Sequence, residues 1–207
     1  MSANFNGMRR VRLITIGHID HGKTTLTVAI TGLLAKKGAA RAARYDDIDA
    51  ALLVNIGGAA LNLSRVEYNT ERRGYEQVDC PKHSDYVSYL TSHSEPVDGA
   101  IVVVSAPDGC MPETRAQLEM ARRNGVEHVI VYLNKCDLVD DDEMLNVVEE
   151  EIRVELSKFG YNGDASAIIR GSALKALNGE EDDRGYGQTS IRSLLETLDG
   201  VIPDPQG

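Results

Sequence analysis

Apolar residues follow two different periods along this chain. Residues 11–16 form a mainly apolar run, which precedes a helical pattern beginning at Thr25. Ile191, Leu194, Leu195 and Leu198 recur at helical spacing instead, which predicts a final amphipathic helix packed on a sheet. A chain of 207 residues with this mixture of patterns predicts one α/β domain with a sizeable core.

A phosphate-binding loop is predicted at residues 17–24, which read Gly-His-Ile-Asp-His-Gly-Lys-Thr between the apolar run and a helical pattern. Its glycines let successive backbone N–H groups turn toward phosphates, Lys23 can reach the terminal phosphates, and the Thr24 hydroxyl can bind Mg²⁺. The alternative interpretation of these residues is a strand-to-helix turn that binds no ligand. The predicted nucleotide contacts of this segment are His18, Ile19, Asp20, His21, Gly22, Lys23, Thr24 and Thr25.

A base-reading site is predicted at Asn134, Lys135 and Asp137, directly after a short apolar strand at 129–133. Ligands of open α/β sheets bind at the carboxyl ends of the strands. The Asp137 carboxylate can accept from two adjacent N–H groups of guanine that adenine lacks. Asn134 can contact the other edge of the base, and the stem of Lys135 can cover the ring.

A second loop is predicted to contribute to the same site. Residues 167–170 form another predicted strand, which leads to Ser172, Ala173 and Leu174. Their backbone amides can meet the carbonyl oxygen of guanine. The three motifs in this order support one another far more than any of them does alone.

On these residues the chain resembles the G domain of the bacterial elongation factor Tu family of translational GTPases. The segments Gly-His-Ile-Asp-His-Gly-Lys-Thr-Thr-Leu-Thr, Val-Asp-Cys-Pro-x-His, Leu-Asn-Lys-Cys-Asp and Gly-Ser-Ala-Leu-Lys-Ala-Leu stand almost as the family writes them. The likeness covers residues 11–205. It implies a doubly wound P-loop α/β fold with about six mainly parallel strands and helices on both faces. We expect residues 1–207 to form a single G domain, without the β-barrel domains that follow it in the family and help bind aminoacyl-tRNA.

The resemblance also implies ligands and chemistry. GDP or GTP binds together with Mg²⁺, which Thr24 contacts directly and Asp79 and Asp49 contact through water. The family activity converts GTP to GDP and phosphate, and His83 matches the histidine that orients the attacking water. A lone histidine is more often a structural hydrogen-bonding group, so the catalytic role of His83 rests on the match.

The chain departs from the family where the family senses the γ-phosphate. The family has Arg-Gly-Ile-Thr-Ile in its first switch, and the aligned residues 57–61 read Gly-Gly-Ala-Ala-Leu. Ala60 therefore lacks the oxygen with which the family threonine binds Mg²⁺. Two apolar runs, 52–56 and 59–68, flank Gly57-Gly58 and predict a β-hairpin, which the resemblance associates with the GDP state. The alternative is an apolar loop patch.

Three further departures concern the second switch. Lys82 replaces a glycine whose peptide turns toward the γ-phosphate, and a side chain restricts that turn. The alternative places its ammonium near the phosphate. Ser88 and Tyr89 replace a Lys-Asn pair that helps contact tRNA, so we do not expect tRNA, ribosome and exchange-factor binding to carry over to this chain.

Composition narrows the function classes. The formal net charge of -10 argues against non-specific nucleic-acid binding, which depends on clustered positive charge. Three cysteines, Cys80, Cys110 and Cys136, are too few and scattered for a disulfide framework or zinc site, which fits a reducing cytoplasm. Residues 1–12 lack the apolar segment of a signal peptide, and no run approaches membrane-spanning length.

The acidic run at 140–143 suggests a metal site or a helix cap. Helical spacing of Leu145, Val148 and Ile152 follows it directly, so we interpret the run as the cap of that helix.

The sequence therefore predicts a cytoplasmic, monomeric guanine-nucleotide-binding domain held in a GDP-like state with weak hydrolysis. An active GTP hydrolase and a scaffold that binds no nucleotide are the alternatives. An intact nucleotide site with altered switches is compatible both with a divergent relative and with deliberate engineering.

Overall fold

The computed structural model describes residues 10–44, 52–56, 59–80, 83–92 and 96–205. The side chains of residues 52–56, 59–62, 83–84 and 92 are outside this description. Strands and helices alternate along most of the chain. The strands are β1 (Val11–Ile16), β2 (Leu52–Ile56), β3 (Ala59–Asn69), β4 (Gly74–Asp79), β5 (Gly99–Ser105), β6 (Val129–Asn134) and β7 (Ile168–Arg170). The helices are α1 (Lys23–Ala35), α2 (His83–Ser92), α3 (Pro112–Arg123), α4 (Asp142–Lys158), α5 (Ala173–Asn178) and α6 (Gln188–Val201).

Within the described residues, all seven strands join one sheet in the order β2-β3-β4-β1-β5-β6-β7. The five strands from β4 to β7 in this order are parallel, whereas β3 pairs antiparallel with β4. In sheet order, β3-β4-β1-β5-β6-β7 are six strands, and they confirm the prediction of a mainly parallel doubly wound sheet. β2 adds a seventh, antiparallel strand at the edge.

The edge strand belongs to the predicted hairpin. β2 and β3 pair antiparallel from Leu52↔Leu63 to Ile56↔Ala59, which places Ala60 opposite Asn55. The hairpin prediction is therefore confirmed for the two strands, and the apolar-loop alternative is wrong. Gly57 and Gly58, which connect them, lie outside the described residues.

Both faces of the central strands are buried, which explains their continuous apolar runs. In β1, Ile14 and Ile16 pack into a cluster that α2, α3 and α4 cover. Val11 and Leu13 point to the opposite face, which α1, α5 and α6 cover. The predicted inward residues of α6 are all buried there: Ile191, Leu194, Leu195 and Leu198.

The local details mostly follow the sequence predictions. Asp141 caps α4 and its side chain accepts from the Glu143 backbone N–H at 2.8 Å, which confirms the capping interpretation of the acidic run. The three cysteines are free and buried, as expected for small apolar side chains, and burial raises the pKa of the Cys136 thiol to about 11. β6 extends one residue beyond its predicted end, and β7 begins one residue later than predicted. No helix in the described part of the chain has both the length and the apolar character needed to cross a membrane.

Candidate functional site

The predicted site lies at the carboxyl edge of the parallel strands. β1 is central in the sheet between β4 and β5, and the loop after β1 crosses this edge to reach α1. Strand register brings Thr15 opposite Asp79, and Ser105 opposite Asn134. The phosphate loop starts from the end of β1 and the base-reading segment from the end of β6, with β5 between them. Open α/β sheets bind their ligands at this edge.

Glycine is required at both ends of the phosphate loop. Gly17 has φ +148° and Gly22 has φ +90°, which are conformations that side chains disfavour. A Cβ at Gly17 would also collide with the backbone oxygen of Val103, and one at Gly22 would collide with the side-chain amide of Asn134. These close approaches explain the glycine spacing of the motif. Ile19 and Asp20 form the exposed apex between them.

Lys23 is held across the loop by backbone oxygens. Its ammonium donates to Gly17 O at 2.9 Å and to His18 O at 3.1 Å. Lys23 is also the first residue of α1, whose first turn contains no acidic residue. The positive end of the helix dipole and the ammonium therefore face the same loop, an arrangement suited to anions.

Asn134 connects the phosphate loop with both base-reading segments. Its side-chain amide donates to His21 O at 2.8 Å, and its side-chain oxygen accepts from the Ala173 backbone N–H at 2.9 Å. The residue is only 3% exposed. The motif assigns Asn134 to the base, and the structure adds a structural role because this side chain bridges three segments.

The guanine-reading segments follow β6 and β7. Lys135 adopts a left-handed conformation, with φ +60°, and precedes a 3-10 helix at Cys136–Leu138 that contains the half-buried Asp137. The Cys136 backbone N–H donates to Gly171 O at 3.1 Å, which joins this turn to the loop after β7.

The structure changes the expectation for the loop at 172–174. Ser172 donates its backbone N–H to Tyr186 O at 2.7 Å, and its side chain caps α5. The Ala173 N–H is donated to Asn134, as described above. Two of the three amides predicted to meet guanine are thus already used inside the protein. The carbonyl oxygen of a bound guanine would have to share the N–H groups of Ser172 and Ala173 with these partners. It could instead accept from the Leu174 backbone amide, which lies in the first turn of α5.

His21 anchors the loop to β5. Its ring is buried, and Nδ1 accepts from the Ser105 backbone N–H at 3.2 Å. Burial lowers the pKa of His21, which outweighs the opposing effect of a hydrogen bond with the Val103 backbone. A neutral ring suits this contact, because a protonated Nδ1 cannot accept. Nε2 lies 3.9 Å from an Asp108 oxygen.

The other loop histidine is closer to the surface. His18 lies with its ring centroid 5.2 Å from that of His21, and its Nε2 is 3.8 Å from a Glu113 oxygen. The predicted nucleotide contacts at His18 and His21 are made by the backbone N–H groups of the loop. The motif predicts no phosphate contact for either imidazole ring.

The predicted Mg²⁺ ligands offer oxygen atoms, which a hard cation prefers. Thr24 is the second residue of α1, and Asp79 is the buried last residue of β4, so a hydroxyl and a carboxylate occupy the same sheet edge. Mg²⁺ prefers such oxygens and usually completes its shell with waters and nucleotide phosphates. Among the described residues, no group of three or more His, Cys, Asp or Glu side chains could hold a metal alone.

The altered switch positions are described only in part. Asp49, Gly57 and Lys82 lie outside the described residues, as do the side chains of Ala60 and His83. Their predicted roles therefore stay predictions. Tyr89 is described and is only 2% exposed, so this ring belongs to the core.

Sequence reasoning missed Gln117, which touches the phosphate loop from α3. Its side-chain oxygen accepts from the Gly17 backbone N–H at 2.9 Å, although the two residues are far apart in the chain. Thr114, Gln117, Leu118 and Ala121 form the buried face of α3. A glutamine on the inward face of an amphipathic helix was the signal that could have identified it.

A lysine-bearing loop between β1 and α1, with Asn-Lys-x-Asp after β6 at the same edge of the sheet, defines a P-loop nucleotide-binding domain. A family model described as the elongation factor Tu GTP binding domain matches residues 8–204. The chain belongs to this family of translational GTPase-type G domains, which bind guanine nucleotides.

Proposed function

We propose that this domain binds GDP or GTP with Mg²⁺ and is held in a GDP-like conformation that hydrolyses GTP slowly. The observation that carries the proposal is the Asn134 bridge. It joins the phosphate loop at His21 O to the base-reading loop at Ala173 N. Both halves of a guanine-nucleotide site are thereby tied together at one sheet edge.

Each half has a distinct role. Lys23 and the backbone N–H groups of the loop neutralise and orient the phosphates. Asp137 accepts from guanine, the stem of Lys135 covers the ring, and Leu174 contributes a backbone donor at the base oxygen. Adenine lacks the N–H pair that Asp137 reads, so its binding would leave that carboxylate unpaired.

Thr24 and Asp79 would hold Mg²⁺, the first directly and the second through water. The cation supplies charge neutralisation at the phosphates when bound. In the proposal, Asp49 assists through water, and the metal leaves with the nucleotide because the described protein ligands are too few to retain it alone.

The GDP-like state is supported by the β2–β3 pairing. Ala60 pairs with Asn55 inside an antiparallel ladder, and the same strand continues to Asn69 beside β4. A segment committed to this ladder is not available to close over a γ-phosphate. Ala60 also lacks the side-chain oxygen that the family uses there. GTP therefore gains little affinity when the segment leaves the hairpin and closes over the γ-phosphate, so it cannot drive that change.

An active GTP hydrolase is the second candidate, because the sequence retains His83 after Asp-Cys-Pro-Lys. Losing one preorganised transition-state contact typically lowers turnover by about 10² to 10³. Single-turnover GTP cleavage by nucleotide-free protein separates the candidates. We expect cleavage slower by at least that factor than in a variant carrying Ala60→Thr and Lys82→Gly. Equal rates would favour the active hydrolase.

Two binding measurements test the nucleotide assignment. Chromatography of the denatured protein should release a copurified guanine nucleotide. Titration of nucleotide-free protein should show GDP far tighter than ADP, by orders of magnitude, since a site built for paired hydrogen bonds rejects ligands that lack them. Asp137→Ala should lose most of that preference and keep the fold. Equal GDP and ADP affinities in the unaltered protein would contradict guanine recognition.

We propose that this domain binds fewer partners than other members of the family do. We propose a monomer that does not form a stable complex with charged tRNA, because Ser88 and Tyr89 replace a contacting pair and Tyr89 is buried. The charge of -10 offers no general attraction to nucleic acid. A salt-sensitive complex with aminoacyl-tRNA would contradict this assignment.

A further inference from the structure

The backbone of Gly17 is held by hydrogen bonds at both its N–H and its carbonyl group. Its N–H donates to the side-chain oxygen of Gln117 at 2.9 Å, and its carbonyl accepts from the Lys23 ammonium at 2.9 Å. Gly17 is the residue at which the chain leaves β1 for the phosphate loop. The backbone conformation of Gly17, which joins these two peptide groups, therefore helps to set where the Lys23 ammonium lies.

Gln117 is well placed to fix that conformation. It lies in the middle of α3, is 3% exposed, and comes from a helix that starts after the end of β5. Gly17 itself is buried, so its N–H has little access to water. A buried N–H without an acceptor costs about 1 to 3 kcal/mol, which keeps this hydrogen bond formed.

Gln117 is in turn held by the helix that follows the second switch. The Tyr86 hydroxyl, on α2, donates to the backbone oxygen of Gln117 at 2.8 Å. The Tyr86 side chain is completely buried, and α2 begins at His83. A continuous set of contacts thus runs from α2 through Gln117 to Gly17 and Lys23.

We propose that Gln117 is a positioning residue for nucleotide binding, which fixes the backbone of Gly17 and through it the Lys23 ammonium, and which Tyr86 holds in place. The inference rests on the proposed nucleotide site. It adds a residue that contacts neither phosphate nor base and lies on a different helix. The hydrogen bond from Tyr86 also connects α2 to the phosphate loop through Gln117.

Amide exchange of the unaltered protein tests the acceptor of Gly17 without any substitution. If Gln117 is the acceptor, the Gly17 N–H is protected in both the nucleotide-free and the GDP-bound protein. Protection that appears only with GDP would identify a phosphate as the acceptor and overturn the proposal.

Gln117→Met tests the consequence for binding. Methionine keeps an unbranched side chain of similar length and removes the acceptor. We expect GDP affinity to fall about tenfold, in the range of one lost buried hydrogen bond, with a shifted ³¹P resonance for the β-phosphate of bound GDP. Exchange at Gly17 should accelerate while Ile14 in β1 stays protected. Unchanged affinity and an unchanged resonance would overturn the proposal.

Two tyrosine variants provide a matched comparison. Tyr86→Phe removes the hydrogen bond to Gln117 O, and Tyr161→Phe removes a longer one, at 3.4 Å, to the next carbonyl, Leu118 O. We expect faster GDP dissociation only in Tyr86→Phe, and less than additive effects when it is combined with Gln117→Met. Equal dissociation rates in the two tyrosine variants would refute the role of Tyr86. Failure of the unaltered protein to bind GDP would instead refute the proposed function.

Discussion

The side-chain amide of Asn134 donates to the backbone oxygen of His21 at 2.8 Å, across 113 positions of sequence. This buried hydrogen bond connects the phosphate loop to the base-reading segment. Its partners come from the ends of β6 and β1, with β5 between them. We therefore expect the two halves of the proposed nucleotide site to respond together to substitution.

Asn134→Ala should weaken GDP binding at least tenfold. The substitution removes both the donor to His21 O and the acceptor of Ala173 N–H, and each buried group left unpaired costs about 1 to 3 kcal/mol. Calorimetric titration of nucleotide-free protein measures the loss. Asn124→Ala is the control, because the Asn124 amide donates to Met120 at the exposed end of α3, in the same helix. A similar loss in both variants would argue against the bridge.

Thr24→Ala should remove most of the Mg²⁺ dependence of GDP retention while leaving the fold intact. Only one oxygen in direct contact with the metal is lost, so the nucleotide keeps its phosphate and base contacts. The measurement is the GDP dissociation rate with Mg²⁺ and with EDTA. We expect EDTA to accelerate release strongly in the unaltered protein and weakly in the variant. An identical EDTA response in the two proteins would exclude Thr24 as a ligand.

Acid should destabilise the nucleotide-free protein through His21. Burial lowers the pKa of the folded histidine below 6.5, with His18 and Lys135 adding to the shift and Asp108 opposing it. The unfolded chain therefore takes up the proton first, and the contribution of His21 to stability is lost as pH falls below about 6.5. Urea unfolding at pH 7.5 and pH 5.5 measures the difference.

His21→Asn is the matched variant for this effect. An asparagine oxygen can take the place of Nδ1 as the acceptor of the Ser105 N–H and does not titrate in this range. We expect the variant to lose less stability than the unaltered protein between the two pH values. Carboxylates with lowered pKa, such as Glu76, respond at lower pH and leave this window clear. Equal losses would assign the acid response to other groups.

Glu76→Ala should destabilise the fold far more than Arg65→Ala. Glu76 is buried and accepts from the Arg12 and Arg65 guanidiniums at 2.8 and 2.6 Å. Burial alone would raise the pKa of Glu76, and these hydrogen bonds hold it below its usual value. Its removal breaks the buried ion pair with Arg12, which typically costs about 3 to 5 kcal/mol.

Arg65 is half exposed, so the same experiment predicts a loss of about 1 kcal/mol or less for Arg65→Ala. Urea unfolding of both variants in excess GDP provides the comparison. The free energies of unfolding should differ by more than 2 kcal/mol, about the gap between a buried and an exposed ion pair. Comparable losses would show that burial of the carboxylate does not control this cluster.

The sequence by itself determined the elements and motifs whose causes are local. Short apolar runs identified β1, β6 and β7, the two runs around Gly57-Gly58 predicted the β2–β3 hairpin, and the acidic run predicted the cap at Asp141. These features depend on backbone periodicity and on side chains within a few residues of each other. The phosphate loop belongs to the same class, because its glycines and lysine are contiguous.

Only the tertiary structure decided which distant side chains hold the site together. Gln117 accepts from Gly17 across 100 positions, and Asn134 reaches both His21 and Ala173. No periodic pattern encodes these pairs, since each depends on how a helix or strand end packs against another part of the sheet. The motifs thus specify the groups expected to touch a nucleotide, whereas packing between remote elements determines the residues that position them.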